Sequence, residues 1–258
     1  MTPADILATK GTRRLAMLTA YDYPTALALD QAGLDMILVG DSVAMVELGL
    51  PTTREATLAM MAHHVHAVRT GAVNTHIVGD LPAGSYDTPE QAVASSEVLV
   101  SAGADSVKLE GPCIAEVQAI IAAGIAVMGH VGLQPQTATV YRREGTTPHE
   151  ADRIAGEALK LEEVGCFAVV IEAVPADLAT RITASLGIPT IGIAAGVETD
   201  GQVLVSTDLV GQLPFTPPFM TPKANVFEIV ARAAREFVDD IGRGATADVT
   251  SDDWPTLA

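Results

Sequence analysis

Ser101-Ala102-Gly103-Ala104-Asp105-Ser106-Val107-Lys108-Leu109-Glu110-Gly111 reads as the end of a helix, a capping glycine and a short apolar strand that closes on a carboxylate. The same unit recurs along the chain. Gln31-Ala32-Gly33-Leu34-Asp35 precedes MILVGD (36–41), Ala123-Gly124-Ile125 precedes AVMGH (126–130), Val164-Gly165-Cys166 precedes AVVIEA (168–173), and Leu186-Gly187-Ile188-Pro189 precedes TIGIAAG (190–196). A glycine at each helix end supplies the left-handed cap, and each following run is too short and too apolar for anything but a strand buried on both faces. MLTAYD (17–22) and THIVGDLP (75–82) bring the strands to seven, and an eighth is expected between Gln202 and Gly211. Thr88-Pro89-Glu90-Gln91 is a capping-box start for a helix running to about Ala102. Alternating β and α elements imply a parallel sheet, and eight such units in 258 residues predict an α/β fold, a closed (βα)8 TIM-type barrel in a single domain, over an open doubly wound sheet. No G-x-G-x-x-G follows a strand and no Walker-type lysine loop is present. The barrel domain is expected to span 1–241, its last helix running from about Asn225 to Ile241, with 242–258 an acidic, mobile C-terminal tail.

The chain has 15 Lys+Arg against 32 Asp+Glu, a net charge of −17, and 48% hydrophobic residues. A field this negative repels phosphate backbones and anionic lipid, which excludes nucleic acid and membrane surfaces as partners and leaves small molecules. With no apolar run of membrane-spanning length and no signal pattern, a soluble, cytoplasmic protein is expected. Cys113 and Cys166 form no disulfide framework or metal-ligand spacing, and both are expected to be buried. Only four lysines and a large acidic excess fit a halophilic source, where salt screens the self-repulsion.

In a parallel barrel, reactive groups converge at the C-terminal ends of the strands. The polar residues closing the runs are Asp22, Asp41 with Ser42, Asp80, Glu110, His130 and Glu172. Lys108 lies two residues before Glu110, so both side chains face the same side of their strand. Several carboxylates at one mouth repel one another unless a cation sits between them. An all-oxygen set without cysteine or paired histidine selects Mg²⁺, Mn²⁺ or Ca²⁺ over zinc. Asp41, Asp80 and Glu110 are the candidate metal ligands, Lys108 the group for a substrate carboxylate or an enolate oxygen, and Glu172 the remaining candidate base. Plainer roles stand beside these. An Asp at a strand end also caps the next helix, Lys108 can form a structural ion pair, and His130 can be a hydrogen-bonded core residue. His63, His64 and His66 are expected on the exterior or at an interface, and the Gly192–Gly196 loop either presents backbone N–H groups to a substrate or simply turns.

TAYDY (19–23), VGDS (39–42), DLP (80–82), VKLEG (107–111), GHVGLQPQ (129–136), IEAVP (171–175) and GIAAGVETDGQVLV (192–205) occur in an order that resembles the ketopantoate hydroxymethyltransferase family, across roughly residues 12 to 240. The resemblance implies a barrel of the phosphoenolpyruvate/pyruvate type. Its reaction carries a one-carbon unit from 5,10-methylenetetrahydrofolate to 3-methyl-2-oxobutanoate, giving 2-dehydropantoate on the way to pantothenate and coenzyme A. It further implies one Mg²⁺ per subunit on Asp41, Asp80 and Glu110, keto-acid contacts from Asp41, Ser42, Asp80 and Lys108, and Glu172 as proton acceptor. His130 falls at a family position and is given a supporting hydrogen-bond role. The implied chemistry is a metal-stabilised enolate: chelation acidifies the carbon beside the keto group, the carboxylate takes its proton, and the enolate attacks the activated methylene. Family habit and Ala-rich helices imply a homo-oligomer.

The chain departs from the family pattern at Ala44, at LPTTREAT (50–57), at VYRREG (140–145) and at Ser206-Thr207-Asp208. These departures leave the donor open between tetrahydrofolate and a related pterin. Two alternatives compete. One is a metal-dependent carbon–carbon lyase of the same barrel superfamily, which would need further cationic groups and a cysteine-bearing acid loop. The other is a barrel that binds the keto acid without turnover.

Overall fold

The computed structural model describes residues 1–244. Residues 245–258, most of the expected acidic tail, lie outside the described residues. In chain order the elements are α1 (Pro3–Leu7), β1 (Leu15–Thr19), α2 (Tyr23–Gln31), β2 (Met36–Val39), α3 (Val43–Val46), α4 (Leu58–Gly71), β3 (His76–Asp80), α5 (Pro89–Ala102) and β4 (Ser106–Lys108). They continue with α6 (Ile114–Ala122), β5 (Val127–Gly132), α7 (Pro148–Glu163), β6 (Ala168–Glu172), α8 (Ala176–Ser185), β7 (Thr190–Ile193), β8 (Gly201–Leu204), α9 (Ser206–Leu209) and α10 (Val226–Gly242). A single 3-10 turn, Thr53–Glu55, stands between α3 and α4.

The strands pair in parallel from β1 through β8, and β8 pairs with β1, so the expected (βα)8 barrel is closed. The eighth strand overlaps the start of the expected 202–211 stretch and begins one residue before it, at Gly201. Strand alternation builds two apolar layers. Met17, Met36, Leu38, Val78, Met128, Val170, Ile191 and Val203 fill the barrel interior. Ile37, Val39, Ile77, Val107, Val131, Val169 and Ile171 point outward and pack under the helices. At the N-terminal end of the barrel Ile6 of α1 joins the interior layer.

Local sequence explains the element ends. Thr88 accepts from the Gln91 backbone N–H at the start of α5, with Pro89 in the first turn, and Thr147 and Glu150 form a capping box on α7. Gly33, Gly103, Gly124 and Gly165 adopt the positive φ expected of caps. Gly187 does not. There α8 ends at Leu186 in an extended conformation, two residues before Ile188-Pro189, so proline rather than a left-handed glycine stops the helix. The Gly-x-Asp repeat has a common purpose: Asp35 accepts from the Ala16 N–H and Asp105 from the Ile77 N–H, both at 2.8 Å, each tying the start of one strand to its neighbour.

The chain forms two compact units, Met1–Ser206 with all eight strands, and a second beginning at Thr207. Within the second, Phe227 donates its N–H to the Gly211 carbonyl at 3.0 Å, where α10 begins. No residue of α10 is buried, and Phe227, Ile229, Val230, Phe237, Val238 and Ile241 are exposed along it. Among the described residues no helix is long and apolar enough to cross a membrane. Cys166 is buried, which pushes its thiol up to about 12, whereas Cys113 is only half-buried at the start of α6, because the N-cap position faces the loop.

Candidate active site

Five consecutive strands present their last inward residues to one cavity of about 110 Å³ at the barrel mouth. Asp80 ends β3 and is the direct register partner of Lys108 on β4, while His130 projects from β5 and Glu172 ends β6. Glu110 follows the inward Lys108 by two residues and stays on the inward side, whereas Asp41 follows the outward Val39 by two and enters the cavity because the backbone turns after β2. Leu38, Val170, Ile193 and Val203 add an apolar lining to the same cavity.

The polar groups hold one another in place. Lys108 Nζ lies 2.7 Å from Asp80 Oδ1, an ion pair with both side chains almost fully buried, though Oδ1 receives no directed hydrogen bond. His130 Nδ1 lies 3.4 Å from Lys108 Nζ, and its Nε2 3.3 Å from Glu172 Oε2. An ammonium can only donate, so the Nδ1 contact places the imidazole proton on Nε2, facing Glu172. Gln136 ties the acidic side together: its Nε2 donates to Asp41 Oδ2 and to the Leu81 carbonyl, both at 2.9 Å, and its backbone N–H donates to Glu110 Oε2 at 3.0 Å. The Tyr86 hydroxyl donates to Gln136 Oε1.

Burial dominates the electrostatics. It pushes Asp41 up to about 7, reinforced by the charge of Asp80, and Glu110 up to about 9 against the pull of Lys108. Burial alone would strip the proton from Lys108, but Asp80, Glu110 and Asp41 together hold its ammonium above the ordinary range. The site thus gathers more negative charge than its one lysine offsets, and the donor atoms left for a cation are all oxygens. Among the described residues no three His, Cys, Asp or Glu side chains form a ready metal cluster. Asp41 and Glu110 are instead engaged by Gln136, and Asp80 by Lys108. Hard cations such as Mg²⁺ commonly use one or two carboxylates and complete their shell with water and substrate, which this oxygen set allows.

Of the eight residues singled out in the sequence at the strand ends, Asp41, Ser42, Asp80, Lys108, Glu110, His130 and Glu172 line this cavity. Asp22 does not. It accepts from the Thr25 N–H at 2.8 Å and caps α2, the plainer of its two readings. His63 and His66 are exposed on α4, and His64 is half-buried with Nδ1 2.7 Å from the Tyr21 carbonyl. Of the Gly192–Gly196 loop only Ile193 reaches the cavity. Gln136 and Thr53 were not singled out. Both are uncharged, Gln136 on a loop and Thr53 at the start of the 3-10 turn, so only the surrounding motif pattern could have marked them.

Glu172 is held by an uncommon backbone. Ala173 and Ala194, which follow β6 and β7, both have positive φ, at 48° and 50°. Such conformations cost non-glycine residues about 1 kcal/mol or more and gather at functional sites. Gly132, across the register from Glu172, leaves room for the Leu133 N–H to reach the Glu172 carbonyl at 2.9 Å, a space that a Cβ would fill.

Fold and site define a parallel α/β barrel with an acidic, lysine-bearing mouth. The crystal structure of a phosphonopyruvate hydrolase superposes with a TM-score of 0.66, covering 100% of this chain and 92% of that one at 13% identity, a likeness of fold alone. The family model described as ketopantoate hydroxymethyltransferase matches residues 1–246. Proteins named 3-methyl-2-oxobutanoate hydroxymethyltransferase are similar along nearly their whole length. The one from Acaryochloris marina is 49% identical over 237 residues, 89% of this chain and 92% of its own. The one from Oleidesulfovibrio alaskensis is 47% identical over 252 residues, 95% of this chain and 87% of its own. The chain belongs to the ketopantoate hydroxymethyltransferase family.

Proposed function

We propose that this protein transfers a hydroxymethyl group from 5,10-methylenetetrahydrofolate, or a related pterin, to 3-methyl-2-oxobutanoate, forming 2-dehydropantoate for pantothenate and coenzyme A synthesis. The observation that carries this reading is a carboxylate, Glu172, facing the same small cavity as Lys108 and the acidic group, with an apolar wall for a branched alkyl chain. Asp41 and Asp80, with Glu110, would hold one Mg²⁺ per subunit, whose chemistry when bound is to polarise the keto oxygen as a Lewis acid. Lys108 offers its charge to oxygen on the substrate as negative charge develops. Glu172 accepts the proton from the carbon beside the keto group, and His130 stands beside that carboxylate with Nε2 at 3.3 Å and no directed hydrogen bond. The carbon so exposed bonds to the methylene of the donor as one of its two carbon–nitrogen bonds breaks, water replaces the second nitrogen and supplies the hydroxyl oxygen, and the two nitrogens leave carrying the proton taken by Glu172 and one proton of that water.

A lyase acting on a diacid finds less support. Lys108 is the one cationic side chain lining the cavity among the described residues, and neither cysteine lines it. Exposed apolar residues along α10 support a homo-oligomer, and the charge of −17 supports a salt-adapted, cytoplasmic protein acting on small molecules.

The test is proton exchange in heavy water and concentrated KCl, followed by NMR at the carbon beside the keto group of 3-methyl-2-oxobutanoate. Loss of that signal with Mg²⁺ but not with EDTA, and product on adding the donor, is the expected result. Binding without exchange or product would instead favour the non-catalytic barrel.

A further inference from the structure

Three hydroxyl side chains line the catalytic cavity, those of Thr19, Ser42 and Thr53. Thr19 Oγ1 accepts from the Ser206 N–H at 3.0 Å, and Ser42 Oγ lies 2.8 Å from the Tyr21 hydroxyl. Thr53 is only 4% exposed, yet its Oγ1 makes no hydrogen bond. Of the nitrogen groups lining the cavity, Lys108 lies against Asp80 and His130 Nε2 faces Glu172. The hydroxyl is not what holds the residue in place. Its turn is fixed by the capping box of Thr52 and Glu55, and by Arg54, which donates to the Ala138 carbonyl at 3.2 Å. A buried donor without a partner costs stability, and such groups call for a ligand that satisfies them.

We propose that the Thr53 hydroxyl is a substrate contact that donates a hydrogen bond to the carboxylate of the bound 2-oxo acid. The inference rests on the reaction proposed above. The carboxylate is the acceptor such a substrate brings into a cavity lined by both polar and apolar side chains, and Thr53 faces the same cavity as Lys108. The protein's own alternative partner is Tyr141, a half-exposed residue whose phenol approaches Thr53 without a directed hydrogen bond.

Wild type, Thr53→Val, Thr53→Ser and Tyr141→Phe are compared for turnover, donor-free proton exchange and melting temperature. Thr53→Val should raise KM for the keto acid about 10-fold, leave KM for the donor unchanged and melt no lower than wild type, because it removes a group without a partner. Thr53→Ser should restore most of the affinity. An unchanged keto-acid KM in Thr53→Val, with wild type active, overturns the contact alone. So does a lowered melting temperature shared by Thr53→Val and Tyr141→Phe, which would assign the hydroxyl to Tyr141. Wild type with neither exchange nor turnover overturns the proposed reaction, and this contact with it.

Discussion

Glu172 and Asp80 both end strands at the same mouth, but their surroundings give them different work. Glu172 keeps 23% of its side-chain surface accessible and faces the imidazole, whereas Asp80 is 2% accessible and neutralises Lys108. Glu172→Gln should therefore slow proton exchange and turnover about 100-fold or more while leaving keto-acid affinity nearly intact. Asp80→Asn leaves a buried ammonium without its counter-charge. It should weaken Mg²⁺ binding and lower folding stability by about 3 kcal/mol, read by calorimetric titration and thermal melts. Equal losses of keto-acid binding in both variants would contradict this division. Asp41 and Glu110 titrate at about 7 and about 9 in the fold, above the ordinary carboxylate range, so the folded chain keeps protons that the unfolded chain has already released. Their contribution to stability is therefore full in acid and declines as pH rises from about 4 to about 9. In EDTA, the melting temperature of wild type relative to Asp41→Asn should fall between about pH 4 and about 7, the window of Asp41 itself, and Mg²⁺ should flatten the difference. A difference that rises with pH would reverse the assigned sign.

At the scale of elements, the ends of β5 and β6 set the position of the base. Gly132 has a φ of 95°, and a Cβ there would strike the Glu172 carbonyl oxygen. Gly132→Ala should destabilise the protein by about 1 kcal/mol or more and displace Glu172, cutting the exchange rate by more than the same substitution at the open, positive-φ cap Gly124. Equal losses at the two positions would show that the effect is backbone strain alone. The motif VKLEG was legible as a strand carrying Lys108 and Glu110 inward, because a period of two follows from the chain itself. That Asp22 caps α2 while Asp41 enters the cavity was not. Both are acids after apolar runs, and only the turn of the backbone after each strand separates them.

For the whole molecule, a net charge of −17 repels itself unless salt screens it, and ion pairs such as Lys10–Asp200 at 2.8 Å cannot balance 32 acids with 15 Lys+Arg. Melting temperature should rise steeply between low salt and molar KCl, and a melting temperature indifferent to salt would remove the halophilic reading. The sequence by itself determined the barrel, since periodic glycine caps and doubly buried strands leave few other packings. It also determined which acids, lysine and histidine stand at strand ends as candidates for the mouth, since the polar residue that closes each apolar run is visible in the chain. Only the tertiary structure decided how they are wired. The Lys108–Asp80 pair, the Nε2–H of His130 facing Glu172, the Gln136 bridge and the partnerless Thr53 hydroxyl depend on contacts between residues far apart in the chain. Such contacts arise from barrel closure and loop packing, which leave no periodic trace in the order of amino acids.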